Sequence, residues 1–379
     1  MSFSQVITLK KNKGPKNPWG PDMQEIKFKT KNIGKTLNVK IYVDGRYEPP
    51  LDLPRQPTKS NDTLEINHVT TAPGEHIVAF LVRSPTRSYG FHYESSPIAH
   101  KVKTAHSKQT DTFYFLVKRK SSQRAIFDTS IGGLIFSDKF LQIATYLPSN
   151  ALYGFGENSH QSLQHDFSRY TTWGMFARDE HPHYSALNTN NLYGVHPFYM
   201  IMEPDGCAHG VFIHNTNAQE ITTAPGPALI YRTIGGNIDL FFFPGPTPEE
   251  VIQQYLALIG KPVMPAYWAL GFQLSRWMYN DLFEMKRIVA RNMQAGIPLE
   301  TVVADIDYMD RYKDFTVGPK YEGLGEYVKQ LHSWNMRSIL IYDPAIQVDY
   351  GTFERGIKSS RVLGGLRVRR EWGNEWRRR

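Results

Sequence analysis

The stretch VVADIDYMD, Val302 to Asp310, sets a run of apolar residues directly against three carboxylates, Asp305, Asp307 and Asp310. An ionised carboxylate only accepts hydrogen bonds, so acids gathered at one spot require a ligand's donors, a turn's backbone or water. Two other apolar runs end in the same way. ALGFQL is followed by Ser275, Arg276 and Trp277, and SILIY by Asp343 and Pro344. Further upstream, Glu180, His181 and His183 sit within ARDEHPH. Their types suit a metal, but three residues without a fourth ligand or supporting partners are a weak signal for one.

The elements around these clusters alternate. ALGFQL predicts a strand, Asp281 to about Ala295 a helix, ETVVADI a strand, Glu322 to about Trp334 a helix, and SILIYDP a third strand. That rhythm is the βαβαβ unit of a parallel sheet covered by helices. In the first helix Asp281 and Glu284 stand three apart as in a capping box. Leu282, Met285, Val289 and Met293 repeat at helical spacing, Lys286, Arg287 and Arg291 form a polar face, and Gly296 stops the helix. The strands lack alternation, as expected of strands buried on both faces. In such a sheet ligands bind at the carboxyl ends of the strands, which places all three clusters at the working edge. Asp305 follows Ala304 directly at a strand end and is expected to meet a ligand, whereas Asp307 and Asp310 suit a turn facing water equally well.

Before this region the chain reads differently. From about Thr36 to Phe243 short β runs, among them LNVKIYV, EHIVAFLVR, DTFYFLVKR, HPFYMIMEP, AHGVFIHN and NIDLFFFPG, are separated by Gly, Pro, Asn and Asp. They predict a large antiparallel domain, a sandwich. Tyr146, Tyr153, Trp173 and the run Phe241 to Phe243 are expected in its core. Thr247 as cap, Pro248 at the first helical position and Gly260 as stop then predict a helix. KPVMP reads as the linker to the alternating part. There is no internal repeat.

Composition bounds the function classes. With 13 % aromatic and 21 % charged residues in 379, the chain belongs with packed globular proteins rather than solvated tails. Of the net charge of +8, the segment Arg361 to Arg379 supplies five, so most of the basicity is a tail. A second cluster, Lys10, Lys11, Lys13 and Lys16, lies near the other end. Neither accompanies a nucleic-acid fold motif, and no nucleic-acid partner is expected. Cys207 is the only cysteine, which excludes an intramolecular disulfide. MSFSQVITLKKNK lacks an apolar run of signal-peptide length, so export is not expected of the chain as written, and no run is long enough to span a bilayer. The sequon Asn61-Asp62-Thr63 would matter only in a secreted protein.

Several motifs in order give the chain a family likeness: FDTSIGGLIFSDKFLQIATYLPS, YGFGENSHQSLQHD, YRTIGGNIDLFFFPG, YWALGFQLSRW, ADIDYMDRYKDFT and LIYDPAI. Between about Ala125 and Ser359 it resembles glycoside hydrolase family 31, the α-glucosidases. The resemblance implies a β-sandwich N-terminal domain, galactose-mutarotase-like, over residues 1–262. The first part of a (β/α)8 TIM barrel, about three βα units, then covers 263–360, with an unrelated Arg-rich tail over 361–379. It implies action on α-linked gluco-oligosaccharides at the terminal glucose with retention of configuration, without cofactor or metal. Residue by residue, it makes Asp179 an acid reaching the sugar from a loop of the β domain and Asp305 the acid holding the distal hydroxyls. Trp277, Ile341 and Asp343 become pocket-lining positions. Around Asp179 the family often has small polar residues where this chain has Glu180, His181 and His183, so an altered pocket rim or plain surface is expected there.

Retaining glycosidases use two carboxyl groups about 5 to 5.5 Å apart, one as nucleophile and one as acid and then base. The resemblance puts both beyond the third barrel strand, the first in a W-I-D-M-N-E-like motif. Neither motif occurs in these 379 residues. The chain as written is therefore expected to lack hydrolytic activity. Its third strand is expected to leave an edge unpaired and apolar faces open, with the β domain the more stable part. A non-catalytic carbohydrate-binding module is the alternative, and nucleic-acid binding through the Arg-rich tail a remote one. The compartment stays open, since the family suggests lysosomal, secreted or cell-surface proteins while no signal peptide is visible.

Overall fold

The computed structural model describes residues 4–11, 17–55, 64–69, 113–183, 189–343 and 346–359. The run EHIVAFLVR, the sequon at Asn61, Lys13 and Lys16 of the first basic cluster, and the Arg-rich end lie outside them. The chain forms two compact units, Met1–Lys261 and Pro262–Arg379.

In chain order the first unit runs β1 (Ser4–Lys10), β2 (Glu25–Ile33), β3 (Thr36–Tyr42), β4 (Leu64–Val69), β5 (Tyr114–Arg119) and β6 (Ala125–Asp128). It continues with β7 (Ile135–Phe136), β8 (Leu141–Tyr146), β9 (Leu152–Asn158), β10 (Thr171–Met175), β11 (Asn191–Met202) and β12 (Ala208–Ile213). β13 (Gln219–Ala224), β14 (Ala228–Thr233), β15 (Ile238–Phe243) and α1 (Pro248–Ile259) complete it. One sheet has the order β1-β2-β3-β15-β12-β11-β9, and the other β10-β13-β14-β8-β6-β5-β4 with β7 beside β8. The pairings within both are antiparallel. Phe28, Val39 and Ile41 of the first sheet share one buried cluster with Phe115, Val117, Leu141 and Ile143 of the second. That shared core makes the two sheets a sandwich.

Phe241, Phe242 and Phe243 are buried, as is Trp173. Tyr146 is only half-buried. Tyr153 is not core: its side chain is exposed and its hydroxyl reaches Gln164 Oε1 at 3.4 Å. It lies on β9, an edge strand, one residue away from the buried Leu152 and therefore on the opposite face. The capping reading of α1 holds in full. Thr247 accepts from the Glu250 N–H while Glu250 accepts from the Thr247 N–H, and Pro248 opens the helix.

A three-residue ion network joins the two sheets. Arg119 of β5 donates through Nη2 and Nε to the two oxygens of Glu203, at 2.5 and 3.2 Å, and through Nη1 to the Pro244 carbonyl at 2.8 Å. His209 of β12 meets Glu203 Oε1 at 3.0 Å through Nδ1. All three side chains are buried.

The second unit contains β16 (Phe272–Arg276), α2 (Leu282–Gln294), β17 (Leu299–Ala304), α3 (Leu324–Ser333), β18 (Arg337–Leu340) and α4 (Gly351–Lys358). The three strands form a parallel sheet in the order β16-β17-β18, the alternation expected from sequence. Leu282, Met285, Ile288 and Val289 of α2 pack with Leu324, Tyr327 and Leu331 of α3 and with Val302 and Ala304 of β17. Three local readings change. Met293 is exposed rather than core. The capping box is half formed: Asp281 takes the Glu284 N–H, but Glu284 turns to the N–H and side-chain amide of Asn280. Nor are all three strands buried on both faces. Only β17 is deeply covered, while β16 is exposed except at Leu274 and β18 half-exposed, since each pairs with β17 alone among the described residues.

Candidate functional site

Register aligns the strand ends. Arg276 pairs with Ala304 and Ala304 with Leu340, so the last paired residues of the three strands form one row. The next residue along each strand is Trp277, Asp305 and Ile341. The Ile341 N–H donates to the Ala304 carbonyl at 3.2 Å, which carries the row one step past β18. Three side chains singled out in the sequence thus stand side by side at the carboxyl edge. A fourth, Asp343, lies two residues further on.

The loops leaving this edge are cross-tied. Asp305 accepts the Ile306 N–H at 2.7 Å and opens a short 3-10 turn, which leaves its second oxygen for other donors. Asp307 accepts the Met278 N–H at 2.8 Å, joining the loop after β17 to the loop after β16 just beyond Trp277. Asp310 holds Arg311. Asp307 therefore ties the two loops together, while Asp310 pairs with its chain neighbour. Four of the seven described non-glycine residues with positive φ, Met278, Arg311, Tyr312 and Phe315, fall in these two loops. Such backbone persists where its surroundings hold it and clusters at working sites.

Sequence reasoning missed two residues here. Asp314 is buried, and its Oδ1 accepts the Asp343 N–H at 3.0 Å while its own carbonyl accepts from the Tyr350 hydroxyl at 3.0 Å. The buried Tyr308 donates to the Ile341 carbonyl at 2.9 Å, and burial pushes its phenol upward, keeping it a neutral donor. Asp314 stands inside KDFT, where an acid beside an aromatic gives no local sign that it will reach a strand end 29 residues on. Of the side chains at this edge, Trp277 is 57 % exposed. Asp343 is exposed as well, and Asp305 and Ile341 are half-buried. Carboxylates beside an accessible indole can accept from hydroxyl groups while the ring covers an apolar face of a ligand.

Asp179 belongs to the first unit, on the loop between β10 and β11, and is exposed. The Arg178 N–H donates to the Leu192 carbonyl at 2.9 Å, and the Glu180 N–H to the Arg178 carbonyl at 2.8 Å, so Asp179 is the apex of a three-residue turn. Glu180 is tied to Arg178 and Asn190. Hydrogen bonds from Asn190, with Arg178 nearby, lower its carboxyl below the usual range. Among the described residues no group of three or more His, Cys, Asp or Glu is placed to hold a metal ion, and no helix is long and apolar enough to cross a membrane.

Comparison with known proteins agrees with this architecture. The profile "Glycosyl hydrolase 31 N-terminal galactose mutarotase-like domain" matches residues 137–221. "Glycosyl hydrolases family 31 TIM-barrel domain" matches residues 262–376, which takes in most of the Arg-rich end. The chain is 48 % identical over 253 residues to intestinal sucrase-isomaltase of Oryctolagus cuniculus, covering 64 % of this chain and 14 % of that protein. To lysosomal alpha-glucosidase of Mus musculus it is 38 % identical over 255 residues, covering 65 % of this chain and 26 % of the relative. The chain thus spans well under a third of these curated relatives. Among solved structures, the ER glucosidase II heterodimeric complex superposes with a TM-score of 0.66 at 15 % identity, covering 95 % of this chain and 44 % of that one. A Flavobacterium johnsoniae dextranase bound to isomaltotriose superposes at 0.60 and 20 % identity, covering 88 % of this chain and 38 % of that one. At such identities the structural likeness speaks for the fold. With both domain profiles matched in order and relatives near 50 % identity, the chain belongs to glycoside hydrolase family 31.

Proposed function

We propose that this chain carries the sugar-gripping part of a retaining α-glucosidase and does not itself hydrolyse glycosides. Residues 1–262 and 263–360 are its sandwich and the first three βα units of its barrel. Asp305 accepts from the distal hydroxyls of a terminal α-linked glucose, Trp277 and Ile341 cover the ring, and Asp343 shapes the far wall; Asp179, taken by itself on its loop of the first unit, is assigned a sugar hydroxyl. The observation carrying this reading is the row Trp277, Asp305, Ile341 at one register position of a parallel sheet. Asp305 does not serve as nucleophile. Its assigned role on the distal hydroxyls is on the wrong side of the ring for attack at the anomeric carbon, and the paired carboxyl motifs are not among these residues.

The same row supports a second reading, a non-catalytic carbohydrate-binding module, because it is assembled without those motifs. Titration calorimetry of the 379-residue chain with maltose and with an iminosugar separates the two. The inactive-enzyme reading expects heat too weak to saturate, because the row is in place while the pocket wall the family builds beyond the third strand is not among these residues. The binding-module reading expects saturation that Asp305→Ala removes.

A further inference from the structure

A polar cavity lies wholly within the sandwich, on residues that the sheet edge does not use. Ile238 and Leu240 of β15 belong to the common core, so Asp239 between them points to the opposite face, as does its register partner Lys40 of β3. Lys40 Nζ stands 2.7 Å from Glu48 Oε1 and 3.9 Å from Asp239 Oδ2, and Asp239 Oδ1 accepts from Asn38 Nδ2 at 2.6 Å. Just past β12 the His214 N–H donates to the Asp239 carbonyl at 2.8 Å. The His214 ring comes to rest against the same carboxylate, Nδ1 to Oδ2 at 3.5 Å.

A carboxylate only accepts, so in the neutral ring Nδ1 holds the hydrogen and Nε2 is left as an acceptor. Only 10 % of the His214 side chain is exposed, and its buried Nε2 meets no hydrogen-bond partner among the described residues. A buried acceptor without a donor is costly, which calls for a donor from outside the chain. The space for one is present. His214, Asp239, Lys40, Glu48 and Tyr47 line a cavity of about 10 Å³, room for a single water or hydroxyl group.

The lining decides which group suits it. An anion would face both carboxylates, and a cation would have to displace Lys40 from between them. A neutral hydroxyl donates to Nε2 and accepts from Lys40. Water alone meets that need, but Tyr47 on the same lining is 56 % exposed, with its hydroxyl held by Thr216 Oγ1 at 3.4 Å. A tethered, accessible ring beside buried polar groups offers an apolar face to the body of a ligand whose hydroxyl fills the cavity.

We infer that the sandwich carries a carbohydrate site of its own, in which one hydroxyl of a neutral saccharide bonds to His214 Nε2 while the sugar ring lies on Tyr47. The site uses none of Asp179, Trp277, Asp305, Ile341 and Asp343, and it does not rest on the roles proposed for them.

The test adds methyl α-glucoside to the 379-residue chain carrying 15N-labelled histidine and follows long-range imidazole 1H–15N spectra in neutral to alkaline buffer, His214→Gln identifying the resonance. A saturable shift of the His214 Nε2 signal with a midpoint of about 1–10 mM is expected, in keeping with one hydrogen bond and one stacked ring. Tyr47→Ala, at an exposed position, should raise that midpoint at least about five-fold, and Asp305→Ala should leave it unchanged. Ligand-observed saturation transfer from the wild type and Tyr47→Ala makes the same comparison without the His214 variant. No shift up to about 100 mM would leave a cavity for water only and overturn the proposal. An equal shift with glycerol, which needs no aromatic platform, or a midpoint unmoved by Tyr47→Ala would overturn it too. Binding lost in Asp305→Ala would belong to the sheet edge and count against the sandwich site alone.

Discussion

The buried carboxylate of Asp314 accepts the backbone N–H of Asp343 at 3.0 Å, fixing the chain where it leaves the third parallel strand. Asp314→Ala removes that acceptor and is expected to cost about 1–3 kcal/mol, whereas Asp314→Asn keeps an oxygen in place and should cost under about 1 kcal/mol. Amide exchange across residues 337–343 measures it. Equal loosening in both variants would show that the acceptor oxygen is not what holds this strand end.

The network Arg119, Glu203 and His209 makes the sandwich sensitive to charge. Arg119→Met leaves Glu203 buried without its main partner and should destabilise by about 3–5 kcal/mol. Replacing all three with apolar residues of similar volume should cost much less. Urea unfolding of the variants checks both expectations, and a single substitution no worse than the triple would contradict the account.

Acid should act on the same network. Burial pushes the Glu203 carboxyl upward, but hydrogen bonds from His209 and Arg119 and the charge of Arg119 outweigh it and hold it at about 2. Its stabilisation is therefore complete above the ordinary Glu value near ~4.3 and lost as pH falls toward about 2. His209, lowered by burial, is held neutral, so stability begins to decline once pH drops below the free histidine value of about 6.5. Melting followed from pH 7 to pH 3 should show decline in both ranges, the lower one disappearing in Glu203→Gln.

The half-buried His160 adds to the upper range. Its burial and the adjacent His165, with ring centroids 4.6 Å apart, lower it to about 4. The fold thus loses stability as pH falls from about 6.5 toward about 4. His160→Asn should flatten the pH dependence in that interval, and an unchanged slope would remove His160 from the explanation.

The two units should differ in protection from exchange. Among the described residues β17 is the only well-covered strand of the parallel sheet, and apolar residues such as Tyr267, Phe272 and Phe283 of that unit are exposed. Amides of the sandwich core are expected to exchange at least about ten-fold more slowly than those of β16 and β18. The opposite order would contradict the expectation that the sandwich is the stable part.

What was legible in the sequence was local or periodic. Thr247, Pro248 and Gly260 marked α1 because a cap is decided within four residues. The strand ends near Trp277, Asp305 and Asp343 were visible because apolar runs stopped in polar clusters there; Ile341 came from the family resemblance, and the parallel register set it beside Trp277 and Asp305. What escaped depends on long-range closure. Asp314 meets Asp343 from 29 residues away, Glu180 meets Asn190 from 10, and Arg119 meets Glu203 from 84. None has a pattern of its own in the sequence. Burial of β16 on both faces was overestimated because apolar composition reports what a strand could bury, not which neighbours are present to cover it.

The central claim, a sugar-gripping edge without its catalytic pair, is tested most directly by nitrophenol release from nitrophenyl α-glucoside by the purified 379-residue chain. The account predicts release no faster than in buffer alone. Saturable release above that control, reduced at least about ten-fold by Asp305→Asn, would contradict it.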